Sequence, residues 1–228
     1  MGQRPYGVEG TGEPPTPDGV RDGPFRGAGN DEYSIGRALR QRDFWFITLV
    51  FTETFAMANT VVTFHIPYLL QLGIGVDTAA WVLGISGIAS VISRAVLGWL
   101  GDILDKRHLI AGVVGMQAIC LLSLATAHGL GQVMVYGVAF GLGWGGSVPL
   151  RNAIIVEQFG RKATGTIQGV SFGISTMISF LSPVFVGRIF DLTGEYQTAY
   201  VILAAFLIVT GPLILLVQRQ PLGAASRA

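Results

Sequence analysis

Six apolar stretches run through the chain, separated by short polar gaps: Phe44–Leu72, Ala79–Leu100, His108–Thr126, Gln132–Leu150, Thr164–Phe190 and Thr198–Val217. About 20 helical residues cross a hydrocarbon core of roughly 30 Å, so each stretch is long enough to span a membrane. Unpaired backbone is not tolerated in hydrocarbon, which predicts six α-helices. None of the stretches alternates apolar and polar residues at period two, which excludes an outer-membrane barrel. The expected fold class is all-α, a polytopic membrane protein with six transmembrane helices.

Basic residues occupy only alternate gaps. Arg37, Arg40 and Arg42 precede the first stretch, and Lys106 and Arg107 separate the second from the third. Arg151, Arg161 and Lys162 separate the fourth from the fifth, and Arg219 and Arg227 follow the sixth. The gaps Gly73–Thr78, Ala127–Gly131 and Asp191–Gln197 hold no Lys or Arg. This is the positive-inside pattern; it predicts a multi-pass protein of the cell membrane with both termini in the cytoplasm. Three segments follow: a cytoplasmic region 1–43, a transmembrane bundle 44–218 and a cytoplasmic tail 219–228.

Residues 1–30 contain eight Gly and five Pro and few large aliphatic side chains, a composition that predicts disorder. Asp31–Arg42 differs. Ile35 and Leu39 are i,i+4 neighbours among Arg37, Arg40 and Arg42, which suits a short helix along the membrane surface.

Composition narrows the function. Half of the 228 residues are hydrophobic and 13% are charged, far below a soluble domain. A net charge of +1 without a basic stripe argues against nucleic acid as a partner. Cys120 is the only cysteine, so no internal disulfide and no cysteine metal site are expected. No cofactor is implied, and membrane lipid is the expected surrounding.

Glycine is abundant, at 32 residues. Gly165, Gly169 and Gly173 repeat every fourth residue, with Ser175 and Ser179 nearby, a spacing that lets helix backbones approach. Gly141, Gly143, Gly145, Gly146 and Pro149 make the fourth helix thin and deformable. Pro67 and Pro183 are expected to kink the first and fifth helices.

Two charges lie deep in the apolar stretches. Glu53 is about 15 Å and Arg94 about 10 Å from the basic end of its helix. Each costs at least ~2.5–3.5 kcal/mol by insertion scales, which calls for a partner or a water-filled space. Thr52, Glu53, Asn59, Thr60 and Thr63 share about a third of the first helix's circumference. Arg94 shares a face with Ser90 and Gly87. Glu53 is thus a candidate for taking up a proton or pairing with Arg94, and Arg94 for binding an anion through its planar fork. A structural ion pair or a snorkelling Arg is the alternative. His65, off the polar stripe, is expected to be a packed, hydrogen-bonded histidine.

Two motifs lack their context. Gly141-Leu-Gly143-Trp-Gly145-Gly146 fits a dinucleotide fingerprint, but no strand precedes it. Gly169-Val-Ser171-Phe-Gly173 fits a nucleophile elbow, but it sits inside a helix. None of His65, His108 and His128 is an obvious dyad partner for Ser171, so an enzyme, an intramembrane serine hydrolase, is the weaker reading.

Gly98-Trp-Leu100-Gly-Asp102-Ile-Leu-Asp105-Lys106-Arg107 resembles the loop motif G-x-L-A-D-R-x-G-R-R of the major facilitator superfamily. Gly98, Leu100, Asp102, Lys106 and Arg107 match; Ile103 and Asp105 depart. The physics suits a latch: Gly98 permits close helix approach, and Asp102 with the basic pair forms a charge cluster. Glu157, Phe159-Gly160-Arg161-Lys162, Gly165, Gly169, Ser182-Pro183, Gly187 and Asp191-x-Thr-Gly194-x-Tyr196 resemble the last helices of that superfamily's monocarboxylate and oxalate–formate branches. Arg94, four residues before Gly98, matches their substrate-binding arginine. One turn before it, many monocarboxylate carriers have Asp where this chain has Ser90. The oxalate–formate type has a Lys in its eleventh helix, whereas Thr164–Phe190 contains none.

The resemblance implies one six-helix half, the C-terminal one, of a twelve-helix carrier. It implies a proton-coupled transporter of a small organic anion, a monocarboxylate rather than a dicarboxylate. Arg94, Glu53, Asn59 and Ser90 are the expected substrate site, and Gly98, Asp102, Lys106 and Arg107 the expected gating motif. The chain is then a fragment, a truncated product or one subunit of a two-part carrier, and its partner is a second six-helix half or another copy of itself.

Overall fold

A computed structural model describes residues 35–160 and 164–218. The expectations for residues 1–30 and 31–34, for Arg161 and Lys162, and for the tail from Arg219 lie outside the described residues. Among the described residues eight α-helices follow one another: α1 Ile35–Arg40, α2 Arg42–Gln71, α3 Val76–Ile103, α4 Lys106–Ala125, α5 Leu130–Phe159, α6 Thr164–Ser179, α7 Leu181–Thr193 and α8 Gln197–Thr210. A 3₁₀ turn, Gly211–Leu216, continues α8. Among the described residues six spans are long and apolar enough to cross a membrane, with α6 and α7 together forming the fifth.

Tight connections make successive spans antiparallel. Gly194 ends α7 at φ +77°, and its N–H bonds to the Phe190 carbonyl at 2.7 Å. Asp105 caps α4 by accepting from the Arg107 N–H at 3.0 Å. Residues near Arg42, Asp105, Phe159 and Val217 share one end of the bundle, called here the basic end.

Proline breaks the fifth span. Pro183 has no N–H for the carbonyl of Ser179, and the helix is interrupted at Phe180. The Ser182 hydroxyl reaches that freed carbonyl at 2.8 Å. Pro67, by contrast, lies within a continuous α2.

Two parallel helix pairs form the frame. On α2 against α6–α7, Thr48 meets Ser171, Thr52 meets Ser175, Asn59 meets Ser179 and Thr60 meets Ser182, at 3.0–3.1 Å. The sequence separations stay between 120 and 123 residues, so the helices run in register. Interhelical hydrogen bonds of this kind average about 0.6 kcal/mol each in membranes. On α3 against α5 the seam is glycine. Val82, Ser86 and Ser90 lie on Gly137, Gly141 and Gly145, and an added Cβ on Gly137 would come within 2.6 Å of Val82. The third pair is α4 with α8. This pairing is that of two three-span units of opposite direction, in which the first span meets the fifth as the fourth meets the second.

Three expectations need correction. Among the described residues Gly165, Gly169 and Gly173 are not at a helix contact; nothing there lies within 4 Å of a Cβ built on them. The every-fourth-residue glycines that do pack are those of α5. That helix is therefore not loose: Gly143 is filled by Gln117, Gly145 by the Ser90 backbone and Gly146 by Leu97. The fourth span also does not end at Leu150. It continues to Phe159, so Arg151 and Glu157 belong to a helix and not to a loop. Ile154, Ile155 and Phe159 are buried and carry its apolar face onward.

The core is aromatic and aliphatic. Phe44, Phe51, Tyr68, Tyr136, Tyr200 and Leu124 are fully buried, and the Tyr68 hydroxyl donates to the Leu124 carbonyl at 2.6 Å. The spans that bury least are α3 and α6–α7.

Candidate functional site

Glu53 points from α2 toward α8. Only 6% of it is exposed. Its Oε2 meets the Thr210 hydroxyl, while Oε1 has no partner. The carboxyl borders a cavity of about 460 Å³ whose walls, among them Trp45, Met57, Phe185 and Leu207, are mostly apolar. Thr210 also lies 2.6 Å from the Phe206 carbonyl. A hydroxyl has one proton. If Thr210 gives it to Glu53, the carboxylate is ionised; if to Phe206, the carboxyl must carry a proton and donate it. Both protonation states of Glu53 therefore have a hydrogen-bonded arrangement in the same place.

Arg94 faces the other way. The serines of α3, Ser86, Ser90 and Ser93, are buried against α5, and Ser93 donates to the Leu142 carbonyl at 2.5 Å. That packing turns Arg94 out of the bundle, where it is exposed. Among the described residues no acceptor meets it. It lies within a stripe of exposed or half-exposed positions, Ala80, Gly84, Gly87, Val91, Gly98 and Asp102. Arg94 and Glu53 are thus not an ion pair among the described residues. Helix rotation is the reason: one faces α8, the other the open face of α3. Asn59 bonds Ser179 on the α2–α6 side, Ser90 is buried under Gly145, and Thr63 is exposed.

At the basic end the two basic residues pair with acids other than Asp102. Lys106 pairs with Glu157 at 2.8 Å, joining α4 to α5. Arg107 pairs with Asp105 at 2.7 Å and donates to the Val217 carbonyl at 2.8 Å. The Arg107 side chain holds the Asp105 carboxyl at about 2, below its usual 3.8. Asp102 makes no ion pair among the described residues; it is exposed and lines a shallow cavity of about 570 Å³ with Gly98, Lys106 and Glu157. The close approach falls at Gly101, where a Cβ would meet Leu150 at 3.1 Å, rather than at Gly98, where Pro149 is 3.8 Å away.

Sequence reasoning missed Arg151. Read as a loop charge, it is instead a guanidinium 5% exposed within α5. Its Nη2 donates to the Ser171 hydroxyl at 3.1 Å, and its Cζ lies 5.2–5.6 Å from the rings of Phe51, Phe55 and Phe172. Ser171 of the apparent nucleophile elbow is therefore partnered by Arg151 and Thr48. The usable signal was the apolar spacing of Ile154, Ile155 and Phe159 beyond Pro149. His65 is packed as expected, with Nε2 3.1 Å from the Ala79 carbonyl and its ring stacked on Tyr136.

Six spans in two opposed three-span units, with charges held at mid-depth, are the architecture of a secondary transporter. The Major Facilitator Superfamily profile matches residues 15–228, and the chain belongs to that family. It is similar to monocarboxylate transporter 12-B of Danio rerio, 27% identical over 217 residues, covering 89% of this chain and 44% of that protein. Monocarboxylate transporter 12 of Homo sapiens is 28% identical over 141 residues, 60% of this chain and 27% of that protein. The uncharacterized transporter YycB of Bacillus subtilis (strain 168) is 25% identical over 171 residues, 73% of this chain and 42% of that protein. The chain thus spans less than half the length of these relatives.

Proposed function

We propose that this chain is one six-helix half of a proton-coupled carrier for a small organic anion, a monocarboxylate. It moves its substrate by alternating access and performs no covalent chemistry. Its bundle rocks against a second bundle, either a separate six-helix half or another copy of the chain, in the cell membrane with both termini cytoplasmic. The reading rests chiefly on Arg94. A guanidinium nine residues from the end of α3 is about 13 Å into the span. It stands on a face with no acceptor for it, and lipid there would leave its charge unsatisfied. A second bundle closing over a wet path supplies what this face lacks. The names of the relatives support the monocarboxylate class.

In the mechanism, Arg94 engages the carboxylate bidentately, with Ser90 and Asn59 on neighbouring seams. Glu53 exchanges a proton, using Thr210 as acceptor when protonated and as donor when ionised. The Gly98, Asp102, Lys106 and Arg107 segment gates the basic end.

The test uses cells expressing the chain together with a second six-helix half. Arg94→Lys keeps charge but loses the planar fork, so carboxylate uptake should fall about tenfold or more while protein amount holds. Unchanged uptake in both Arg94→Lys and Arg94→Ala would make Arg94 structural. Glu53→Gln should abolish pH-driven accumulation and spare exchange of labelled for unlabelled substrate; loss of both would remove Glu53 from proton coupling. The chain's coverage of less than half of its relatives favours one other reading, a folded bundle inert by itself. That reading predicts uptake only when the second half is co-expressed.

A further inference from the structure

Arg151 is a buried cation whose surroundings do not neutralise it. Among the described residues it forms no ion pair. The ring centroids of Phe51, Phe55 and Phe172 lie 5.2–5.6 Å from its Cζ. Rings attract the cation but offer its N–H groups no conventional hydrogen-bond acceptor. Of the five N–H donors of an arginine, one is engaged here, by Ser171 at 3.1 Å. Ser171 also meets the Thr48 hydroxyl at 3.0 Å. When Thr48 and Arg151 both donate to it, its own proton is available to another acceptor.

The cage has one thin wall. Phe172 is 49% exposed, and Phe55 is half-buried. Their rings meet edge-on at 5.4 Å, and Trp144 meets Phe55 in the same manner at 5.1 Å. Of the three rings around Arg151, Phe51 is buried and Phe172 is the exposed one, so Phe172 is the wall that a side-chain rotation would thin.

We propose that Arg151 and the Ser171 hydroxyl form a carboxylate-binding site gated by Phe55 and Phe172, distinct from the site at Arg94. A carboxylate fits this donor set. It accepts two parallel N–H bonds from a guanidinium and a third from a hydroxyl, which a halide cannot do. The inference deepens the carrier reading and takes the ligand class from it.

Register relates the two arginines. On the parallel pair α3–α5, Gly98 lies opposite Pro149. Arg94 is four residues before the first and Arg151 two residues after the second, so Arg151 lies about 9 Å nearer the basic end. The two guanidinia therefore stand at different depths, as two sites rather than one.

The experiment uses the full purified chain with Trp45, Trp81 and Trp99 replaced by Phe, leaving Trp144 as reporter beside the cage. Acetate and benzoate are titrated at constant ionic strength, with chloride as the matched control. The expected result is a saturable carboxylate-dependent change in Trp144 emission. Arg151→Gln and Arg151→Lys should raise its midpoint at least about tenfold, because neither side chain offers the fork. Ser171→Ala should raise it less, and Phe172→Ala should speed the response by removing the gate. A merely structural Arg151 would lower the unfolding temperature and leave the midpoint in place. Midpoints within twofold of the parent in both Arg151→Lys and Ser171→Ala overturn the proposal, even if Arg151→Gln fails to fold. A parent response no different from chloride overturns it as well. If Arg94→Gln removes the response and Arg151→Lys does not, the ligand sits at Arg94 alone, and the carrier reading survives without this site. If uptake withstands Arg94→Lys but not Arg151→Lys, the reverse holds.

Discussion

Gly145→Ala should separate α3 from α5. The added Cβ would fall against the Ser90 carbonyl oxygen, Cα and carbonyl carbon, all backbone atoms. Backbone cannot rotate away as a side-chain tip does. The two helices must part by about 1 Å or more to restore ordinary contact, and dispersion falls steeply over such a gap. Overpacking of this kind costs about 1–3 kcal/mol. Gly141→Ala, set against the Ser86 carbonyl, should behave alike. Gly169→Ala is the contrast, because nothing lies within 4 Å of its Cβ. Alanine there gains about 0.5–1 kcal/mol of helix preference. The chain carries its own reporter: Cys120 is its only cysteine and is buried. A fluorogenic maleimide added during a thermal ramp in detergent labels it only on unfolding. At roughly 2–4 °C per kcal/mol for a chain this size, Gly145→Ala should unfold several degrees early. Gly169→Ala should match or exceed the parent. Equal unfolding of parent and Gly145→Ala, with loss in Gly169→Ala, would refute the assignment of the close seam to α3–α5.

Acid should weaken the Arg107–Asp105 latch in a defined window. The folded-state value for Asp105, about 2, is below its ordinary 3.8, so its contribution is present above about pH 4 and disappears as pH falls toward 2. Asp105→Asn should flatten the stability–pH curve there without changing its slope near neutrality. Topology is checked with single cysteines in a Cys120→Ala background: Asp77, His128 and Glu195 should react with an impermeant thiol reagent from outside, and Lys106 only after permeabilisation. Labelling of Lys106 in intact cells would invert the proposed orientation.

The six spans were legible because their cause is local. A run of about 20 apolar residues has one stable arrangement in hydrocarbon, whatever its neighbours do. The break at Pro183 was legible from its missing donor, although Pro67 lacks one too and α2 continues through it; the turn after α7 closes on Gly194, whose positive φ other residues resist. The resemblance of Gly98, Asp102, Lys106 and Arg107 to a family motif was visible as well. What each motif residue touches was not. Glu157 sits 51 residues from its partner Lys106, and the order of the chain does not bring them together.

Seams between helices depend on rotation about each axis, and rotation is set by all neighbours at once. Gly165, Gly169 and Gly173 have the spacing of a contact and make none, while the equally spaced Gly137, Gly141 and Gly145 make the closest one. The difference is the partner: α3 turns Val82, Ser86 and Ser90 to α5, whereas among the described residues nothing covers that face of α6. The same rotations separate Glu53 from Arg94, although both sit at mid-depth. They also gather Arg151, Phe51, Phe55, Phe172 and Ser171 from three helices around one guanidinium. Hydropathy therefore determined which segments enter the membrane, a property each segment has alone. Only the packed bundle decided which charges are shielded, which are paired and which stand on an open face, because those depend on atoms supplied by other helices.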